Sequence, residues 1–185
     1  MHLENLFSMS VCIMLMACTA TCLSAGERNH GELNAEFRTR GYKGNAAYTN
    51  HYIIWQGVET SHGYMFNEHH YLGAGIGVFM APVDEIPTFG RIYADYIAYF
   101  RKRNSTPVAG IKTGFCRALN YDRDDHGRFK FRNAAEIEPT IGWSWTMKSG
   151  KGLLLNVAYP FYLTSSQNTK FTLWALPKLS FGIEF

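Results

Sequence analysis

From Leu33 onward, apolar and polar positions alternate in segments of about 10–14 residues, and clusters of Gly, Asn, Asp and Ser separate one segment from the next. The alternation is clearest in the second half. Over 134–147, Ile137, Pro139, Ile141, Trp143, Trp145 and Met147 share one face, while Glu136, Glu138, Thr140, Gly142, Ser144 and Thr146 share the other. Over 152–163 one face carries Leu153, Leu155, Val157, Tyr159, Phe161 and Leu163. Over 171–185 it carries Phe171, Leu173, Ala175, Pro177, Leu179, Phe181, Ile183 and Phe185. Successive side chains of a strand point to opposite sides, so each set is a continuous apolar stripe. The pattern predicts an all-β chain of eight antiparallel strands, at 33–43, 51–65, 70–80, 89–102, 107–120, 134–147, 152–163 and 171–185. No helical period competes over a comparable length.

Alternation alone does not say which face points inward, because a soluble calyx would hold the apolar stripe inside. Two features decide. Trp143, Trp145, Tyr159, Phe161, Phe181 and Phe185 are too bulky to share the interior of an eight-stranded barrel with the other stripes. The opposite face is rich in small residues: Gly73, Gly75, Gly77, Gly110, Gly114, Gly142, Ser144, Ala158, Ser180 and Gly182. A water-facing sheet prefers larger polar residues, whereas a narrow lumen needs small ones. The bulky side therefore faces lipid. By parity the lumen receives a charge network of Glu36, Arg38, Arg40, Glu59, Arg91, Asp95, Lys112, Glu136, Glu138, Lys178 and Glu184, nearly balanced in sign. Paired charges are tolerable in a low-dielectric interior and unpaired ones are costly. This favours a lumen plugged by salt bridges over an open pore. The expected turns at 66–69, 103–106 and 148–151 are short, and the connections at 44–50, 81–88, 121–133 and 164–170 are longer. Short periplasmic turns and longer outer loops are usual in transmembrane barrels.

Composition supports a membrane strand protein. Hydrophobic residues make up 46%, aromatics 15% and charged residues only 18%, yet mean hydropathy is −0.17. After the N-terminal segment no apolar run approaches the ~20 residues of a membrane helix. A net charge of +3 without a basic run gives no reason to expect nucleic acid. Val11–Leu23 is mostly apolar and is followed by Ser24, Ala25 and Gly26, which reads as an export signal over 1–25 ahead of a barrel domain over 26–185. Leu15-Met16-Ala17-Cys18 resembles a lipoprotein box with a poorly fitting Met16. Cys12, Cys18 and Cys22 lie in that segment, so cleavage would leave Cys116 without an intramolecular disulfide partner.

Candidate chemistry is sparse. Gly73-x-Gly75-x-Gly77 lacks the spacing of a nucleotide loop and opens no helix. Asp122-Arg123-Asp124-Asp125-His126-Gly127 follows half of a calcium loop, but Asn133 cannot supply the bidentate carboxylate at its end. Glu68-His69-His70 offers metal-ligand types, although adjacent histidines in a strand point apart. Ser61 and His62 lie on opposite faces, and Ser144 has lumen carboxylates but no inward histidine on the last three strands. No catalytic residue, cofactor or metal is expected. Trp143, Trp145, Tyr159, Tyr162 and the cluster Tyr93, Tyr96 and Tyr99 read as interfacial girdles.

Leu179-Ser180-Phe181-Gly182-Ile183-Glu184-Phe185, with alternating apolar residues and a terminal aromatic, resembles the C-terminal assembly signal of Gram-negative outer-membrane barrels. Tyr93–Phe100, a basic turn and Pro107–Phe115 also resemble a paired-strand hairpin of those proteins. On these motifs the chain, over 31–185, is similar to the small eight-stranded outer membrane protein β-barrel domain family. The resemblance implies an outer-membrane location, recognition of Leu179, Phe181, Ile183 and Phe185 by the barrel-insertion machinery, contact with outer-membrane lipid, and a monomer without enzymatic activity. Two other readings are an outer-membrane enzyme acting on lipid and a soluble ligand-binding barrel.

Overall fold

The computed structural model describes residues 38–51, 55–81, 88–119, 133–165, 171–175 and 177–185. Ten strand segments form one antiparallel sheet: β1 (Gly41–His51), β2 (Trp55–Met65), β3 (His70–Met80), β4 (Phe89–Tyr99), β5 (Ser105–Ala118), β6 (Asn133–Thr146), β7 (Gly152–Ala158), β8 (Phe161–Ser165), β9 (Phe171–Ala175) and β10 (Lys178–Glu184). β7 and β8 both pair with β6 and are one barrel strand, interrupted at Tyr159-Pro160. β10 pairs with β7 and β9 with β8, so these two are likewise one strand, interrupted before Pro177. Proline has no N–H to give to the ladder, which accounts for breaks at these points. β1 pairs with β10 and β5 with β6, closing an eight-stranded barrel.

The register fixes its dimensions. A row perpendicular to the strands starts at His70 on β3 and passes Ala98, Ala109, Ile141, Val157, Leu179, Asn50 and Gln56. It returns to β3 at Met80, ten residues further along. With a rise of ~3.3 Å per residue and a strand spacing of ~4.8 Å, that stagger tilts the strands by about 40° and sets a backbone cylinder about 16 Å across. Strands β1–β4 have 11 residues each, and a tilted transmembrane strand needs ~9–11.

Side-chain burial alternates along the strands. On β4, Phe89, Arg91, Tyr93, Asp95, Ile97 and Tyr99 are buried inside, while Ile92, Ala94 and Tyr96 face out. The outer surface is apolar: Ile76 and Ile92 are 62% exposed, Phe115 65% and Ile141 67%. Tyr42, Tyr64, Tyr96, Trp143, Trp145 and Phe185 ring the end that carries the short turns, as an interfacial belt does. The turn after β6 is tight: Met147 N–H donates to Lys151 C=O at 2.7 Å, and Gly150 sits at φ 80°, where a side chain would be strained.

Four expectations change. The first strand is not 33–43 but Gly41–His51, and the expected connection 44–50 lies inside it. Gly44, Asn45 and Asn50 read as turn residues because a narrow lumen and a closely packed seam use the same small polar side chains as a turn. Arg40 consequently stands before the strand and is exposed rather than in the lumen. Tyr93 and Tyr99 point inward, leaving only Tyr96 of that cluster on the outer belt. Tyr162 is also buried inside rather than on a girdle.

Candidate functional site: the charged lumen

The inward positions of neighbouring strands place ionisable side chains in one layer at mid-barrel. Register sets Asp95, Lys112 and Glu138 side by side on β4, β5 and β6. Lys112 reaches across the lumen to Glu59 on β2, with which it forms a short ion pair. Lys178 Nζ lies 2.8 Å from Glu59 Oε2 and 2.9 Å from Glu138 Oε1. Arg91 Nη1 donates to Glu138 Oε2 at 2.8 Å and also lies 3.2 Å from Glu136 Oε1 and 3.4 Å from Glu59 Oε2. The Arg91 guanidinium and the Lys112 ammonium both sit over the Tyr93 ring, at 4.4 and 5.0 Å from its centroid. Asp95 lies beside Lys112, Ser61 and Asn45, and Ser61 Oγ is 2.7 Å from Tyr71 Oη.

The glycines of β3 make this layer possible. A Cβ at Gly75 would overlap the Tyr93 ring, and one at Gly77 would come within 3.1 Å of both Arg91 Cγ and Glu59 Cβ. Without them the aromatic and the guanidinium would not fit a cylinder of this width.

A second cluster fills the turn end. Glu184, on the last strand, accepts from Tyr99 Oη at 2.5 Å and from Ser144 Oγ at 2.7 Å, and pairs with Lys43 Nζ at 3.2 Å. Arg38 enters from the segment before β1. It donates to Ser144 Oγ at 3.1 Å, Thr146 Oγ1 at 2.8 Å and the Arg103 carbonyl at 2.7 Å. Arg38 and Lys43 both lie over the Tyr99 ring, 4.6 and 4.7 Å from its centroid. Met65, Tyr71, Ile97, Val108 and Leu154 pack around it.

The other end is aromatic. Phe79 stacks on Phe89 and on His51, with ring centroids 5.5 and 4.8 Å apart, and Tyr162 and Cys116 join the cluster.

Of the residues assigned to the lumen by parity, Glu59, Arg91, Asp95, Lys112, Glu136, Glu138 and Lys178 meet at mid-barrel, and Arg38 and Glu184 meet at the mouth. Arg40 does not join them, and Glu36 lies outside the described residues. Lys43, His51, Tyr93 and Tyr99 belong to the interior and were missed. The signal for Lys43 was present: Lys43, Asn45, Ala47 and Thr49 alternate with the larger Tyr42 and Tyr48. Among the described residues the buried carboxylates (Glu59, Asp95, Glu136, Glu138, Glu184) equal the buried lysines and arginines (Arg38, Lys43, Arg91, Lys112, Lys178) in number, five of each.

The polar groups of this arrangement are engaged with one another in ion pairs and hydrogen bonds. Ser144 donates to a carboxylate with no histidine beside it, and the one inward histidine among the described residues, His51, sits in the aromatic tier at the far end. No group of three metal-ligating side chains occurs among the described residues. His69 and His70 turn to different partners, the Tyr99 carbonyl and the Tyr96 hydroxyl, and Glu68 pairs with Lys102. The expected signal segment 1–25, the acidic run 122–127 and the cysteines at 12, 18 and 22 lie outside the described residues.

No family model matches the chain, and no curated protein matches its sequence. Solved structures do resemble it. The N-terminal β-barrel domain of Pseudomonas aeruginosa OprF superimposes with a TM-score of 0.51 at 13% identity, covering 80% of this chain and 98% of that one. Neisserial surface protein A (NspA) gives a TM-score of 0.58 at 15% identity, covering 78% and 95%. The chain has the fold of the small eight-stranded outer-membrane barrels.

Proposed function

We propose that the protein is a non-enzymatic barrel of the outer membrane whose lumen is a polar core rather than a channel. Its work is done by the loops at the end opposite the short turns. The observation that carries this reading is the pairing of an apolar, aromatic-belted exterior with a charge-balanced interior. A soluble calyx would have the reverse polarity. Charges moved to the lipid face would each cost ~2–4 kcal/mol near the midplane, whereas inside they neutralise one another.

The eight-stranded cylinder leaves an interior that side chains roughly fill. Arg91, Lys112 and Lys178 cross-link it at the centre, and the Phe79–Phe89 stack and the Arg38–Glu184 cluster occupy its ends. Ions would have to break several buried pairs to pass. The segment 1–25 acts as a removable export signal, and the terminal Phe181, Ile183 and Phe185 present the chain to the insertion machinery. Adhesion, envelope support and partner binding are the roles open to a displayed loop surface.

Planar-bilayer recording tests the core reading. Wild-type protein is expected to give no sustained ion-conducting steps. Stable steps would make transport the function. Fractionation tests location: the mature chain should co-sediment with outer membranes and, unheated, migrate anomalously on gels. Recovery in the soluble periplasmic fraction without detergent would overturn the membrane assignment.

A further inference from the structure

The outward face of β2–β5 carries a run of small side chains. Ala74, Ala94 and Thr113 stand side by side on β3, β4 and β5 and form the floor of an open groove of about 680 Å³. Ile76, Ile92 and Phe115 wall it on the side away from the short turns. The row continues onto β2 at His62, the register partner of Ala74. Because of the barrel's stagger this row climbs: His62 is three residues from the turn end of β2, and Thr113 is eight residues into β5. Three strand spacings at a tilt of about 40° raise it by about 9 Å. The groove therefore begins at the interfacial rim and ascends obliquely toward the bilayer centre.

Its lower end is polar. Tyr42 Oη lies 2.6 Å from His62 Nδ1, and His62 Nε2 lies 3.0 Å from Thr60 Oγ1. Thr60 Oγ1 in turn donates to the Asn45 carbonyl at 2.9 Å. With that last bond made, the relay runs one way: Tyr42 donates to Nδ1, and Nε2–H donates to Thr60. Every polar hydrogen of a lipid-facing histidine is then satisfied within the protein. Reversing the relay requires Thr60 to give up the Asn45 carbonyl: Thr60 would then donate to Nε2 and Nδ1–H to Tyr42, releasing the phenolic O–H to point outward. Tyr42 is 65% exposed, and Arg40, two residues before it, is exposed as well.

We propose that this groove holds one acyl chain of a phospholipid from the leaflet at the turn end, with the Tyr42 hydroxyl donating to a phosphate or ester oxygen of the same molecule. The match is one of amphiphile to amphiphile: a hydrogen-bonding group at the rim, a trough floored by small side chains leading inward, and a cationic residue nearby for a phosphate. The proposal rests on the reading that the barrel spans the outer membrane.

The test is native mass spectrometry of the full chain, folded in dioleoylphosphatidylglycerol vesicles and released in mild detergent, with heat-dependent gel migration confirming the folded barrel. The wild-type barrel should retain one lipid. Ala94→Leu fills the trough and should abolish retention. Tyr42→Phe should weaken it about tenfold, the worth of one hydrogen bond to a charged group. Ala109→Leu, an outward change outside the groove, should leave it intact. Equal retention by wild type and Ala94→Leu would overturn the proposal, as would a folded wild-type barrel carrying no lipid. A dimer that Ala94→Leu dissociates would overturn it in favour of a second copy on the same face. A chain that fails to insert at all would remove the membrane reading along with it.

Discussion

The two charged regions of the lumen solve the same problem differently. At mid-barrel, Glu59, Glu136 and Glu138 face Arg91, Lys112 and Lys178 almost directly, ion on ion. At the turn-end mouth, Glu184 is held largely by neutral hydroxyls from Tyr99 and Ser144, and its cations are spread over an aromatic ring. The central layer is cross-linked by ion pairs and lies between the aromatic tier at one end and the Glu184 cluster at the other. The mouth is ordered by hydrogen bonds whose donors sit on strands β4 and β6 and whose acceptor sits on β10. A dry layer needs opposite charges to offset the loss of water, while a layer near the rim can share its carboxylate with dipoles. The consequence is energetic: loss of one partner should hurt far more at the centre than at the mouth.

The largest effect is expected from Lys178→Ala. It removes the cation shared by Glu59 and Glu138 and leaves three buried carboxylates to Arg91 and Lys112 alone, at a cost of ~3–5 kcal/mol in a dry site. Urea unfolding of the barrel in lipid vesicles measures it. A loss below about 1 kcal/mol would mean that water reaches the layer and that the centre behaves like an exposed pair. Replacing Lys178 by Met together with Glu138 by Gln should recover part of the loss, because fewer uncompensated charges remain.

Tyr99→Phe should cost about 1.5–3 kcal/mol, the value of a hydrogen bond to a charged group. It keeps the ring beneath Arg38 and Lys43. If its cost equals that of Lys178→Ala, the contrast between centre and mouth fails. Deleting Phe185 separates assembly from stability at the same end. Its N–H and C=O both pair with Gly44, at 2.9 and 2.7 Å, so barrels already formed should lose only edge contacts while membrane yield falls sharply. Normal membrane levels of the deletion variant would leave Phe185 as an ordinary lipid-facing residue. The smallest effect belongs to Lys102→Ala, which breaks the turn pair with Glu68. With the lysine side chain 57% exposed, the change should be within about 1 kcal/mol.

The exterior was more legible than the interior. On β6 and β10 each large apolar residue alternates with a small or charged one, so the face of each side chain follows from the two-residue period. The mid-barrel charges could be placed by parity for the same reason. The first strand was not legible in this way. Gly44, Asn45, Ala46 and Ala47 carry little contrast between faces, and their glycine and asparagine imitate a turn. They are set in a strand by pairing with β2 on one side and with β10 on the other. The inward tyrosines were illegible for a different reason: an aromatic suits a lipid belt, and it is the register partners of Tyr93, Gly75 on β3 and Gly114 on β5, that make room for it inside.

The sequence by itself determined the strand period, the polarity of the two faces, the short turns at one end and the near-neutral set of charges that had to be enclosed. These are local or compositional properties, written in side-chain size and sign. The tertiary structure decided which charges meet, how far the register staggers around the closed sheet, and where small outward side chains line up in a groove. The ten-residue offset between His70 and Met80 accumulates over eight pairings, so no single segment contains it. It brings Lys178 to Glu59, turns Arg38 into the mouth beside Glu184, and carries the His62–Thr113 row upward as a groove, because closure couples every strand's position to all the others.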